Sequence, residues 1–264
     1  MKNVSIVVVG VLCMFHPALA QEEDLIGSKK ASSILPKAIK AVLKEEGYRF
    51  TKTIQVAGFQ DQKVDFQGQT RKKKSFAAAQ GSAEVFAKGA SYLVRSGDTF
   101  LPPDKMQGAE GTSAAMFRNP ILYLLEVRKL ARRAQWGEDA DVDGHSCIVA
   151  EISADERTLK SQVKEFGGNV GELKRYGVSD ISPYIDLKRS TSDYFVSVGK
   201  SDLLLYRVEW KLKLMVKKNA IPPGVPVEIP SKIEVSMELV LSGYGDELEM
   251  DIPKFIQRWS GVKN

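Results

Sequence analysis

Cysteine and histidine, the side chains best suited to nucleophilic and near-neutral acid–base chemistry, are scarce in this sequence, and one of each stands in a single short stretch. Asp143-Gly144-His145-Ser146-Cys147 sets an imidazole and a thiol two residues apart. Beyond it, Cys147, Val149 and Glu151 alternate with Ile148, Ala150 and Ile152, as in a strand that follows an Asp-Gly turn. Residues two apart on a strand share a face, so His145 could activate Cys147 as a nucleophile. The same spacing also suits a small buried thiol beside a turn histidine, the usual fate of a free cysteine.

Two acidic triplets, Asp139-Asp141-Asp143 and Glu247-Glu249-Asp251, offer oxygen ligands for a cation such as calcium. Neither carries the glycine-spaced loop of an EF-hand. There is no nucleophile elbow and no glycine loop for cradling phosphate. The reading is therefore non-enzymatic, with no catalytic residue, metal or cofactor expected.

The only other cysteine and histidine, Cys13 and His16, lie in an N-terminal segment with the form of a secretory signal peptide: Lys2, an apolar run over 4–14, and Ala18-Leu19-Ala20 ahead of Gln21. The run is shorter than the roughly 20 residues needed to span a bilayer. Cleavage after Ala20 is expected, leaving residues 21–264 as a single exported domain, placed in the periplasm by the resemblance given below. The mature chain then has one cysteine and one histidine, which excludes an intramolecular disulfide and zinc sites built from Cys and His clusters. The formal net charge of +5, with 27% charged and 43% hydrophobic residues, is ordinary for a globular protein. It suits an anionic membrane surface and is too weak to argue for nucleic acid. The run Arg71-Lys72-Lys73-Lys74 is read either as a dock for lipid headgroups or as a solvated strand end that protects a sheet edge.

The elements that must position these groups are mainly strands. A first helix is expected over 33–46, capped by Ser32 or Ser33, with Pro36 in its first turn and Gly47 as terminator. Strand-like alternation follows over 48–58 and 63–73, then 82–87, 91–95 and 99–101, a meander of short antiparallel strands. The stretch 101–118 reads as a long loop, a candidate lid. Asn119-Pro120 opens a second helix, ILYLLEVRKLARRAQ. Its front, 121–125, is apolar all round and should be fully buried, whereas Arg128, Lys129, Arg132 and Arg133 cluster on one arc. Ser153-Ala154-Asp155-Glu156 reads as a capping box for a third helix.

Strands are expected again over 182–187, 194–198 and 203–217, and in a final pair that begins at Ile233. Tyr206, Val208, Trp210, Leu212 and Leu214 face one way on the longest of them, and Val235, Met237, Leu239 and Leu241 do so on the last. With few helices to cover so many apolar faces, the fold class is α+β, mainly β: a curved antiparallel, unclosed barrel wrapped around a few helices.

The initial helix, the meander, the Pro-started helix, the D-G-x-x-C strand, the capped helix, YIDLKRS over 184–190 and a last hairpin ending YGDELEMDIP follow one another in this order. The chain thereby resembles the LolA-like superfamily, which includes the periplasmic lipoprotein carriers and the mycobacterial lipoproteins that bind glycolipids. The resemblance implies about eleven antiparallel strands, helices over the concave side, and acyl chains held in an apolar cavity. The meander over 82–98 lacks the Pro and Arg cluster of the carriers, and the terminal hairpin is acidic where theirs is aromatic. Lipoprotein shuttling proper is therefore not carried over, and neither is any individual carrier residue.

The expected function is a carrier or receptor that shields a lipid, or the acyl chains of a lipoprotein, in an apolar cavity. Its candidate lining is Leu122, Leu125, Tyr206, Val208, Trp210, Leu212, Leu214, Val235, Met237, Leu239 and Leu241. The alternative is an envelope interaction protein with a filled core and no ligand. Partners expected are a hydrophobic ligand and envelope membrane proteins, without nucleic acid, for a monomeric chain.

Overall fold

Period-two alternation turns one side of each strand toward a common interior, and in this chain the strands join into one sheet. The computed structural model describes residues 24–258 apart from 59–60, 72–75, 82, 103–104, 107–115, 168–179, 181, 218–229 and 246–252. Its strands are β1 (Gly47–Ala57), β2 (Gln62–Arg71), β3 (Phe76–Gly81), β4 (Val85–Lys88), β5 (Ser91–Ser96), β6 (Thr99–Leu101), β7 (Gln135–Val142), β8 (His145–Ser153), β9 (Thr191–Gly199), β10 (Leu205–Met215) and β11 (Lys232–Ser242). They form an 11-stranded sheet in the order β6-β5-β4-β3-β2-β1-β11-β10-β9-β8-β7. Every pairing is antiparallel. Two meanders therefore meet at the β1–β11 seam, and β6 and β7, consecutive in sequence, lie at opposite edges. The sheet does not close; it is an unclosed barrel around helices. β6 has three residues, and β7 carries Glu138, Asp139 and Asp141, features that blunt an exposed edge.

The helices α1 (Ala31–Val42), α2 (Pro120–Leu130) and α3 (Glu156–Gly167) put their apolar stripes into the sheet's interior. Ile34, Leu35, Ala38 and Ile39 of α1, Leu124 and Val127 of α2, and Leu159 and Val163 of α3 join one core with the inward residues of the strands. α1 packs on α2 and on the 3₁₀ turn Ala131–Arg133, and it touches β7 and β10. A fourth helix, α4 (Lys254–Arg258), which the sequence reading missed, places Ile256 on the opposite face of the sheet against Phe86 and Leu93. Among the described residues no helix is long and apolar enough to cross a membrane.

Several boundaries differ from expectation for local reasons. α1 starts at Ala31 and ends at Val42, so Pro36 lies inside it, past the first turn, where it has no N–H to give the carbonyl of residue 32. Neither Ser32 nor Ser33 caps it; the Ser33 hydroxyl donates to the Lys30 carbonyl at 2.8 Å. The cap of α2 is as expected, with the Asn119 side chain accepting from the Ile121 N–H at 3.1 Å and Pro120 following. The helix stops at Leu130, however, and Gln135 opens β7, whose alternation is masked because most of its side chains on both faces meet solvent.

The cap of α3 is Asp155, which accepts from the Thr158 N–H at 2.8 Å. Ser153 still belongs to β8, and its hydroxyl bonds Asp193 at 2.6 Å. The strand expected over 82–87 is β4, and β3 was not expected, because Phe76-Ala77-Ala78-Ala79 has no polar contrast to read. The strand expected over 182–187 is a 3₁₀ turn, Ser182–Tyr184, followed by a single bridge from Ile185 to Val216.

Candidate functional site

Strand pairing lines up the inward side chains in rows across the sheet. One row runs Ile152, Tyr194, Trp210, Met237, Ile54 and Val64. The next runs Ala150, Val196, Val208, Leu239, Lys52 and Phe66. A lysine thus stands in a row that is otherwise apolar. Lys52 is 0% exposed. Its ammonium donates to the Arg118 carbonyl at 3.2 Å and lies 4.6 Å from the ring centre of Tyr123 and 5.2 Å from that of Phe117. Among the described residues it makes no ion pair with a carboxylate. Burial, with the positive charge of Arg118 as a smaller cause, holds its pKa well below the ordinary lysine range.

Beside it lies a polar cluster, in which Gln162 Oε1 is buried without a hydrogen-bond partner. Arg118 Nη1 pairs with Glu126 Oε2 at 2.8 Å, and its guanidinium sits 5.0 Å from the Tyr123 ring. The other oxygen of Glu126 accepts from Tyr194 Oη and Gln162 Nε2, each at 2.8 Å. Gln162 Nε2 also donates to Tyr194 Oη at 2.6 Å. Burial, then the Glu126 carboxylate, raise the Tyr194 hydroxyl above the usual phenol range, so it stays protonated and donates. Trp210 closes the cluster by stacking on Tyr194 at 6.3 Å and donating Nε1 to Ser192 Oγ at 2.9 Å.

Of the residues expected to line a cavity, Val208, Leu212, Leu214, Val235, Met237, Leu239 and Leu241 are buried in the main core, and Trp210 packs half-buried against it. Tyr206 departs from the alternation. The register of β10 against β9 shifts between Leu205 and Arg207, a β-bulge, and Leu205 takes the core position. Tyr206 turns instead to a separate cluster with Val142 and Cys147 and stacks on His145 at 4.0 Å.

The front of α2 is not buried all round. Tyr123, Leu124 and Val127 face the sheet, Leu122 is half-buried, and Leu125 is 37% exposed, on the arc of Arg128 and Lys129. Lys30, Lys37 and Lys40 of the neighbouring helix are also exposed, so the solvent side of the helical layer is basic.

The pair at 145 and 147 forms no nucleophilic couple. Cys147 is fully buried, and its thiol is pushed up to about 11 by burial, with Asp202 and Asp141 adding to the shift. The imidazole of exposed His145 spends its face on Tyr206. Asp139 pairs with Lys200 at 2.6 Å, and Asp141 accepts from the Gly144 N–H. Among the described residues no three acidic, Cys or His groups converge on a point. Glu247, Glu249 and Asp251 of the acidic hairpin, residues 218–229, Lys72–Lys74 and most of the 101–118 loop lie outside the described residues. A polar groove of about 520 Å³ lies on the other face of β1–β3, lined by Thr51, Gln67, Gln80 and Glu84 among others.

Lys52 was not singled out from the sequence, although its signal was there. In Tyr48, Phe50, Lys52, Ile54 and Val56 it occupies the apolar phase of β1.

These features define an open antiparallel half-barrel with helices on its inner side and one charged cluster within. No protein-family model and no curated protein sequence matches the chain. Among solved structures it is similar to the lipoprotein LppX of Mycobacterium tuberculosis, at 10% identity and TM-score 0.45, over 84% of this chain and 98% of that one. It is also similar to LprF of Mycobacterium bovis, at 12% identity and TM-score 0.35, over 84% and 96%. A LolA superfamily protein of Nitrosomonas europaea matches at 15% identity and TM-score 0.28, over 86% and 96%.

Proposed function

We propose that the chain is an exported, non-enzymatic protein, residues 21–264 after cleavage at Ala20, that holds a lipid or the acyl chains of a lipoprotein against the inner face of its sheet in the cell envelope. The observation that carries this reading is the largely apolar inner face of an unclosed sheet, interrupted by Lys52 and Ser192 and covered by helices that come from separate parts of the chain. Val208, Trp210, Leu212, Leu214, Val235, Met237, Leu239 and Leu241 are the proposed contacts. Leu122 of α2 lies at the margin, and Leu125 and Tyr206 are left out for the reasons given above. Burying an acyl chain there would gain about 25 cal/mol per Å² of apolar surface.

The second reading, an envelope interaction protein with a filled core, is favoured by the burial of the inner face, where Leu239 is 0% and Met237 1% exposed. Native mass spectrometry with organic extraction, on protein purified from a periplasm without detergent, separates the two. A co-purifying acyl species, lost in Leu239→Asp protein that remains folded, supports the carrier. A bare mass with no uptake of added fatty acid or lipoprotein supports the filled core.

A further inference from the structure

Resting on the lipid reading, we propose that Lys52 is the receptor for an acidic headgroup, a carboxylate or phosphate, of an amphiphile whose chain lies along the inner face of the sheet. An ammonium at the centre of a row of apolar side chains is costly to keep without a counter-charge. Its cross-strand neighbours, Leu239 on β11 and Phe66 on β2, are hydrocarbon and supply walls for a chain.

The groups in contact with Lys52 Nζ are neutral, the Arg118 carbonyl oxygen at 3.2 Å and the rings of Tyr123 and Phe117, and the charge that acts on it from nearby is the like charge of the Arg118 guanidinium, on the same Tyr123 ring. A carbonyl dipole and two ring quadrupoles offer an ammonium partial negative charge only. An anionic oxygen in place of the Arg118 carbonyl would supply the full charge by a stronger, charge-assisted bond. The nearby internal anion is not available for this, because Glu126 is already held by Arg118, Tyr194 and Gln162. The ligand class selected is therefore an acidic amphiphile. A neutral acylated group could accept only an ordinary hydrogen bond from the amine, no better than the one the Arg118 carbonyl already accepts.

The test measures binding of oleate, oleyl phosphate and oleyl alcohol to delipidated protein by titration calorimetry at neutral pH, with acetate and inorganic phosphate as chainless competitors. The native protein should bind the two acidic probes about tenfold or more tightly than the alcohol. Lys52→Met should bring oleate down to the affinity of the alcohol while leaving the alcohol unchanged, and Lys52→Arg should keep most of the preference. The same preference in Lys52→Met as in the native protein, or none in the native protein, overturns the headgroup proposal and leaves the lipid reading standing. Uptake of none of the three probes overturns both. Competition by acetate or phosphate alone, equal to that of the chained probes, makes Lys52 a small-anion site and also overturns the proposal.

Discussion

Lys52 on β1 and Leu239 on β11 stand directly opposite each other on the inner face of the sheet, at the seam where the two meanders join. The lysine carries the charge and the leucine shows what the position would ordinarily hold. Both side chains are fully buried.

Replacing Lys52 by Met should stabilise the unliganded protein. The amine is held below its unfolded value of 10.5 by burial, so over that interval the unfolded chain binds more protons and the native protein gains stability as pH rises. Below the depressed value the penalty is present in full. Lys52→Met should therefore gain about 1–3 kcal/mol at pH 7, with the gain shrinking as pH approaches 10. Urea unfolding of both proteins at pH 7 and pH 9.5 checks this; a less stable variant at pH 7 would overturn it.

Glu126 holds three partners from three elements, so its loss should be felt by all of them. Glu126→Ala should destabilise the protein by about 1–3 kcal/mol, a figure reduced by the partial exposure of the Arg118 pair. Tyr194→Phe should cost about 1 kcal/mol alone and much less in the Glu126→Ala background. Strictly additive costs in a double-mutant cycle would rule out the shared cluster.

Leu239 and Leu125, both apolar and both expected at the cavity, should part company. Leu239→Ala opens a void beside Lys52 and should cost about 2–5 kcal/mol. Leu125→Ala, on the solvent side of α2, should stay within about 0.5 kcal/mol of the native protein. Thermal or urea unfolding distinguishes them, and comparable losses would contradict the packing described for α2.

Cys147 should resist modification in the folded state. With the thiol buried and raised to about 11, a maleimide at pH 7.5 should leave it unlabelled until denaturant is added. Rapid labelling of native protein, followed by intact mass, would show the thiol to be reachable.

The sequence made the inward faces of β1, β2, β10 and β11 readable, because each alternates over many residues, with Lys52 of β1 and Tyr206 of β10 as exceptions. It also made the start of α2 readable, since Asn119-Pro120 satisfies and pre-shapes the first turn. Weak contrast hid other elements: β3 is largely alanine and β7 is exposed over most of its length. Tyr206 was misplaced because a bulge changes side-chain phase without leaving a residue type that announces it. The cluster around Glu126 was unreadable in principle, as it joins 118, 126, 162 and 194 through tertiary contact alone. Lys52 is the instructive omission, for a charged residue on an apolar phase is a visible conflict between local pattern and burial.

The pairing of β1 with β11 also constrains how the molecule comes to exist. Arg49 waits for Ser242, so the central strand of the sheet has only β2 beside it until β11 has been made. Contacts this distant in sequence form slowly, and an open strand edge invites wrong partners in the meantime. During synthesis the β1 edge is thus the segment that a holding chaperone would have most reason to cover, and completion of β11 is the event that would release it.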